Sequence, residues 1–215
     1  MRPGIAQGEL PFPRGRGGKR PGAGRRPKGD RPGVSHRARP RFARATPAHV
    51  TLRVRRHVWN LRSRRSYQRI LACFKDALGR FGLRLIQFSV QGNHLHLIVE
   101  AQSSESLSRG MQGLCIRLAR SLNALMGGHG PVFADHFHSR LLESPTALVR
   151  AIAYVLGNHA HHVPDEGETD RFGSALLSLA ERSLVLAQPE SWLLRIGFRK
   201  APPQVLVQLQ RFGLG

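Results

Sequence analysis

The chain has 215 residues and a formal charge of +21, from 34 Lys+Arg against 13 Asp+Glu. That length suffices for one domain with a real core plus tails, and that cationic excess calls for a polyanionic partner, most simply nucleic acid. No apolar run approaches the roughly 18 residues of a membrane span, no signal-peptide pattern opens the chain, and no basic amphipathic helix carries a bulky aromatic face. A cytoplasmic, nucleoid-associated protein with no membrane contact is therefore expected. Cys73 and Cys115 are the two cysteines; both fall within apolar helical patterns and read as small core residues, not as a disulfide framework or a thiolate zinc site.

Residues 1–45 differ in composition from the rest. They are rich in Gly, Pro and Arg, with 13 Lys+Arg against Glu9 and Asp30. Such a segment buries too little apolar area to offset its ordering entropy. It reads as a disordered basic arm whose Arg25, Arg26 and Lys28 touch phosphates without reading sequence. Folded elements follow. His49–Val54 alternates with β-branched residues, a first strand. Ser66–Phe81 repeats apolar residues at Ile70, Leu71, Phe74, Ala77 and Leu78, a helix stopped by Gly82. Leu83–Val90 and His94–Glu100 form a hairpin across Gln91-Gly92-Asn93. Ser104 opens a long helix striped by Leu107, Met111, Leu114, Leu118, Leu122 and Leu125. Arg109, Arg117 and Arg120 fall off that stripe and are candidates to face DNA. A fourth strand is expected at His138–Leu142, then a helix capped by Ser144-Pro145 and running to about His161. Ser174–Leu186 looks helical, and 191–194 reads as a short docking segment.

Strand, helix, strand, strand, helix, strand, helix is the order of an α+β, ferredoxin-like sandwich. The expected sheet is antiparallel with helices on one face, plus an extra C-terminal helix. The domain reading is a basic arm (1–45), a catalytic domain (46–164) and a helical extension (165–215).

The chemistry-bearing residues sit on two elements. His94 and His96 alternate on a strand and so project from one face, while Leu95, Leu97 and Val99 line the other. Two imidazoles held side by side make half of a metal site. Tyr154 and Asn158 stand one turn apart on the last core helix. By ligand type alone the imidazoles favour zinc.

These residues resemble the single-tyrosine HUH transposases, above all the REP-associated tyrosine transposases. Asn93-His94-Leu95-His96-Leu97 matches the family's Asn-His-hydrophobic-His-hydrophobic motif, and Tyr154-Val155-Leu156-Gly157-Asn158 its nucleophile helix, with His159 where a proline is common. The 107–123 helix and the 130–138 segment are similar too, so the likeness spans roughly residues 46–162. The resemblance implies an HUH endonuclease fold whose extra helix bears the nucleophile. Tyr154 would then be the nucleophile, and His94, His96 and Asn158 the ligands of Mg²⁺ or Mn²⁺. It also implies cleavage and joining of single-stranded or hairpin DNA through a 5′-phosphotyrosine, by a monomer or a homodimer. Arg53 and Arg55 join the expected DNA contacts. His138 is a candidate proton carrier, and Glu100 a candidate orienter of the site. The rival readings are a catalytically silent, domesticated DNA-binding protein of the same fold, and a zinc hydrolase built on His94/His96 and His136/His138. The His159, His161 and His162 cluster reads first as helix-end cations.

Overall fold

Four strands of β-branched and leucine-rich sequence pair into one antiparallel sheet: β1 (Thr46–Arg53), β2 (Leu83–Val90), β3 (His94–Ala101) and β4 (His138–Leu141), in the order β2-β3-β1-β4. In this computed structural model the described residues are 40–158, 170–210 and 212. The 1–39 part of the basic arm, with Arg25, Arg26 and Lys28, lies outside them, as do His159, His161 and His162. Three long helices connect or follow the strands: α1 (Arg64–Ala77), α2 (Ser104–Met126) and α3 (Pro145–Gly157). Each begins at a serine whose hydroxyl accepts an early backbone N–H: Ser63 from Ser66, Ser103 from Ser106, Ser144 from Ala147. Pro145 occupies the first turn of α3, where its missing N–H costs nothing.

α1 is shorter than its apolar period suggests. It ends at Ala77, because Leu78 turns extended and Gly79 takes the left-handed conformation at φ 69°. Phe81, read from sequence as the end of the helix, stands in a short 3-10 turn at φ 57°. Gly79, and not Gly82, therefore supplies the helix stop.

Both faces of the sheet are covered, where helices on one face were expected. One face carries Val50, Leu52, Phe88, Leu95, Leu97 and Val99 against Ile70 and Phe74 of α1 and Met111, Leu114 and Leu118 of α2. The other carries Ile86 and Ile98 against Leu148, Val149, Ile152 and Val155 of α3. The helix read as an appendix is thus a second layer, because its apolar stripe needs a partner and Ile86 and Ile98 supply one. The described residues belong to one compact unit, and among them no helix is long and apolar enough to cross a membrane. Cys73 is buried, Cys115 is half-buried, and both are free; burial pushes both thiols up, Cys115 to about 12.

The C-terminal extension packs onto the core. Ser174–Leu176 is a 3-10 turn, and α4 (Leu179–Val185) starts at a capping box of Ser178 and Glu181. The single helix expected at 174–186 is thus broken in two. α5 (Trp192–Arg195) and a helix that sequence reading missed, α6 (Pro203–Gln210), place Leu194, Val205 and Leu209 in the α3 cluster. The β2 edge is covered as well: the Val90 N–H donates to the Phe172 carbonyl at 2.9 Å, and Ser89 bridges Gly173.

Gly110 of α2 marks the closest approach of helix to sheet. A Cβ there would lie 2.4 Å from the Leu83 Cβ, which no rotamer change can relieve. Helix propensity alone would favour alanine by about 1 kcal/mol, but overpacking costs about 1–3 kcal/mol. Gly110→Ala is therefore expected to destabilise the fold by up to about 2 kcal/mol in chemical denaturation. A gain in stability would show that α2 does not sit this close to β2.

Candidate active site

The sheet face beneath α3 changes character along its length. Ile86 and Ile98 are apolar and lie under the helix. Beyond them the register aligns His138, Thr51, His96 and Ser89 in one row across β4, β1, β3 and β2, with Arg53 opposite His94 at the strand ends. Side chains directly opposite one another in an antiparallel pair share a face. A polar patch of these six side chains thus continues the apolar seat of α3.

His94 and His96 stand together as their spacing requires, with ring centroids 4.7 Å apart and planes nearly perpendicular. His96 is only 5 % exposed. Its Nδ1 faces the His49 Nε2 at 3.1 Å and the Thr51 hydroxyl at 3.3 Å. The His94 Nδ1 faces the Asn93 Oδ1 at 2.8 Å. Both imidazoles are therefore held in orientation through Nδ1 by a neighbouring polar group.

Tyr154 projects from α3 onto this patch. Its ring lies edge-on to His96 at 5.2 Å and to His49 at 5.8 Å between centroids. It is 43 % exposed, open enough to meet a polymer. Asn158, one turn further along, is 1 % exposed, and its amide nitrogen has no hydrogen-bond partner among the described residues. An unsatisfied buried amide is costly and uncommon in a folded protein. Among the described residues no three His, Cys, Asp or Glu side chains converge as a metal site; a donor set there would be two imidazoles plus an amide.

His49 is the site residue that sequence reading missed. It sits on β1 opposite Ile98, and it touches both His96 and Tyr154. Burial first, then the positive charges of His138 and Arg140, hold its pKa down to about 4. It is therefore a neutral imidazole at physiological pH. The alternation His49-Val50-Thr51 was visible in the sequence, but the register that sets these residues beside His96 was not.

The other expected site residues separate. Arg53 is exposed at the end of the row, opposite His94. Arg55 starts the following loop, and its Nε donates to the Phe133 carbonyl at 3.2 Å. His138 is exposed on the edge strand opposite Thr51, and His136 precedes that strand, so the two do not form a strand pair. Glu100 does not orient the site. It is fully buried, and its two oxygens accept the backbone N–H groups of Glu190 and Ser191 at 2.7 Å each. It anchors the start of α5, a role its sequence neighbourhood could not reveal. Arg109, Arg117 and Arg120 ride on α2, which covers the opposite face of the sheet. There Arg109 pairs with Glu105 at 3.6 Å and Arg117 donates to the Gly113 carbonyl. The other tyrosine, Tyr67, is unsuited to nucleophilic work: burial, then the Asp170 and Glu181 carboxylates, push its pKa up to about 12.

Comparison with known proteins agrees with this architecture. Among solved structures, one described as a REP-associated tyrosine transposase bound to a REP hairpin superposes with a TM-score of 0.54 at 12% identity, over 74% of this chain and 94% of that one. A second, described as a putative transposase from Deinococcus radiodurans, gives 0.40 at 13% identity, over 53% of this chain and 91% of that one. The first of these likenesses concerns the fold. A search of curated protein sequences finds no match. The family described as "Transposase IS200 like" matches residues 45–140. That span holds the histidine strand, and it ends before α3, so Tyr154 and Asn158 lie beyond it and rest on the geometry above. Over residues 45–140, a little under half of its length, the chain is similar to the IS200-like transposases.

Proposed function

We propose that the protein is a divalent-metal-dependent single-stranded DNA endonuclease and strand transferase that works through a 5′-phosphotyrosine on hairpin or palindromic DNA. The observation that carries this reading is the packing of the Tyr154 ring against His96 and His49 of its own chain. A nucleophile and half of a metal site then share one patch. The Tyr154 oxygen attacks phosphorus, an O–P bond forms, and the P–O3′ bond breaks. The phenolic proton leaves to solvent or a base, and the departing oxygen becomes a free 3′-OH. The covalent bond conserves the cleaved linkage, so a second 3′-OH can reverse the step on another strand. His94, His96 and the Asn158 amide oxygen would hold Mg²⁺ or Mn²⁺, which supplies charge withdrawal from the non-bridging phosphate oxygens. The atom of Asn158 left without a partner among the described residues is Nδ2, a donor, which would be free to meet a phosphate oxygen while the amide oxygen faces the ion.

His49 acts as a positioning residue. Because it is neutral, its Nε2 can accept the Nδ1 proton of His96, which sets His96 in the tautomer that presents Nε2 to a metal. His49→Ala is expected to raise the Mn²⁺ concentration for half-maximal reaction by about 10–100-fold. An unchanged metal requirement would remove His49 from that role.

The reading is of a cytoplasmic protein, monomer or homodimer, with the catalytic domain at 46–164, a C-terminal extension at 165–215, and an arm adding phosphate contacts through Arg25, Arg26 and Lys28. The relative bound to a REP hairpin supports a folded DNA substrate. Arg53 and Arg55 lie on the site side of the sheet end; Arg109, Arg117 and Arg120 would meet only DNA that wraps to the far face. The test is a covalent-adduct assay with labelled hairpin DNA and Mg²⁺ or Mn²⁺ on a denaturing gel. A band abolished by chelation is expected. Tight binding with no adduct on any hairpin would instead indicate a silent DNA-binding protein.

A further inference from the structure

The segment between β1 and α1 has no place yet in the reaction. Between Asp30 and Asp76 the chain has no carboxylate, and Arg53, Arg55, Arg56, Arg62, Arg64, Arg65 and Arg69 crowd into that interval. A merely solvated surface mixes both signs of charge. Arg62 is spent internally, on Asp170 and the Val90 carbonyl. Arg56, Arg64 and Arg65 are exposed, and none is in an ion pair among the described residues.

The loop is firmly held. Val58 and Leu61 are buried. The Val54 N–H donates to the Asn93 carbonyl at 3.0 Å and the Leu61 N–H to the Gly92 carbonyl at 2.9 Å, so both ends are tied to the turn that leads into His94. Between these anchors Trp59 stands 45 % exposed, its backbone N–H donating to the Met126 Sδ at 3.4 Å. A large aromatic ring is thus displayed on a fixed backbone, amid unpaired arginines, beside the turn that carries a proposed metal ligand.

We propose that the 54–63 loop and the first turn of α1 form a platform for single-stranded DNA flanking the cut, with a base stacked on Trp59 and phosphates held by Arg56, Arg64 and Arg65. Stacking needs an exposed base face, which a single strand offers and the interior of a duplex does not. Arginine supplies the sequence-independent phosphate contacts. The inference deepens the proposed function and rests on it for the identity of the strand.

The test uses the full chain carrying Tyr154→Phe, so that binding is read without cleavage, and Trp192→Phe, so that Trp59 is the only tryptophan. A short oligothymidine is expected to quench its fluorescence, and a duplex of equal length to leave it largely unchanged. In the Tyr154→Phe chain, Trp59→Ala should weaken oligothymidine binding about tenfold, and Trp59→Phe should retain most of it. Equal quenching by duplex, or unchanged affinity in Trp59→Ala, overturns the platform. The two readings fail separately. An adduct from the wild-type chain with no Trp59 effect sinks only the platform. Quenching and the Trp59 effect without any adduct uphold the platform and sink the nuclease.

Discussion

Tyr154→Phe is expected to lose all metal-dependent covalent capture of DNA while binding DNA as tightly as the parent. The change deletes one oxygen, the atom that would bond to phosphorus, and keeps the ring that packs on His96 and His49. Removing the nucleophile from a catalytic unit abolishes the route through it, on the order of a thousandfold or more in rate. Stability should barely move, because the side chain is 43 % exposed and the ring remains. Tyr67→Phe is the matched control. The Tyr67 hydroxyl is buried with no partner among the described residues, so its loss should be neutral or mildly stabilising and leave the adduct intact. Capture that survives in Tyr154→Phe and vanishes in Tyr67→Phe would reverse the assignment.

Periodicity carried the element order a long way. The strands expected at 83–90 and 94–100 and the helix from Ser104 are single-period patterns bounded by glycine or serine, and they form within a residue of where those patterns place them. What local pattern cannot express is pairing. His49 and His96 are 47 residues apart in sequence and meet only because β1 lies between β3 and β4. The same holds for the second helical layer: the α3 stripe was readable, but nothing in it says that Ile86 and Ile98 lie beneath. Glu100 is the converse case. A carboxylate ending the histidine strand invites a catalytic reading, yet its partners are backbone N–H groups 90 residues later, which no spacing rule could supply. Residues 203–210, a short helix with weak periodicity, became recognisable only by their contact with α3.

The C-terminal extension also reaches the other side of the site, through Asp170, and its loss should be the most costly for stability. The Asp170 carboxylate is almost wholly buried, 2.8 Å from an Arg62 guanidinium nitrogen. It also accepts the Phe172 N–H at 3.0 Å and faces the Ser89 hydroxyl at 3.4 Å, and Ser89 in turn accepts from the Gln91 amide. Arg62 further stacks on the Phe172 ring at 4.4 Å. Asp170→Ala strands a largely buried guanidinium, which costs about 3–5 kcal/mol. At about 2–4 °C per kcal/mol for a domain of this size, the melting temperature should fall by roughly 10 °C. Replacing both partners with leucine should recover much of the loss, because the penalty comes from the unpaired charge more than from the missing attraction. Ser89 stands beside His96 in the polar row, so the damage should also appear as a lower adduct rate well below the melting point. A melting temperature within a degree or two of the parent would mean that the 170–174 segment is not bound against β2. The extension would then be dispensable for holding the histidine strand in place.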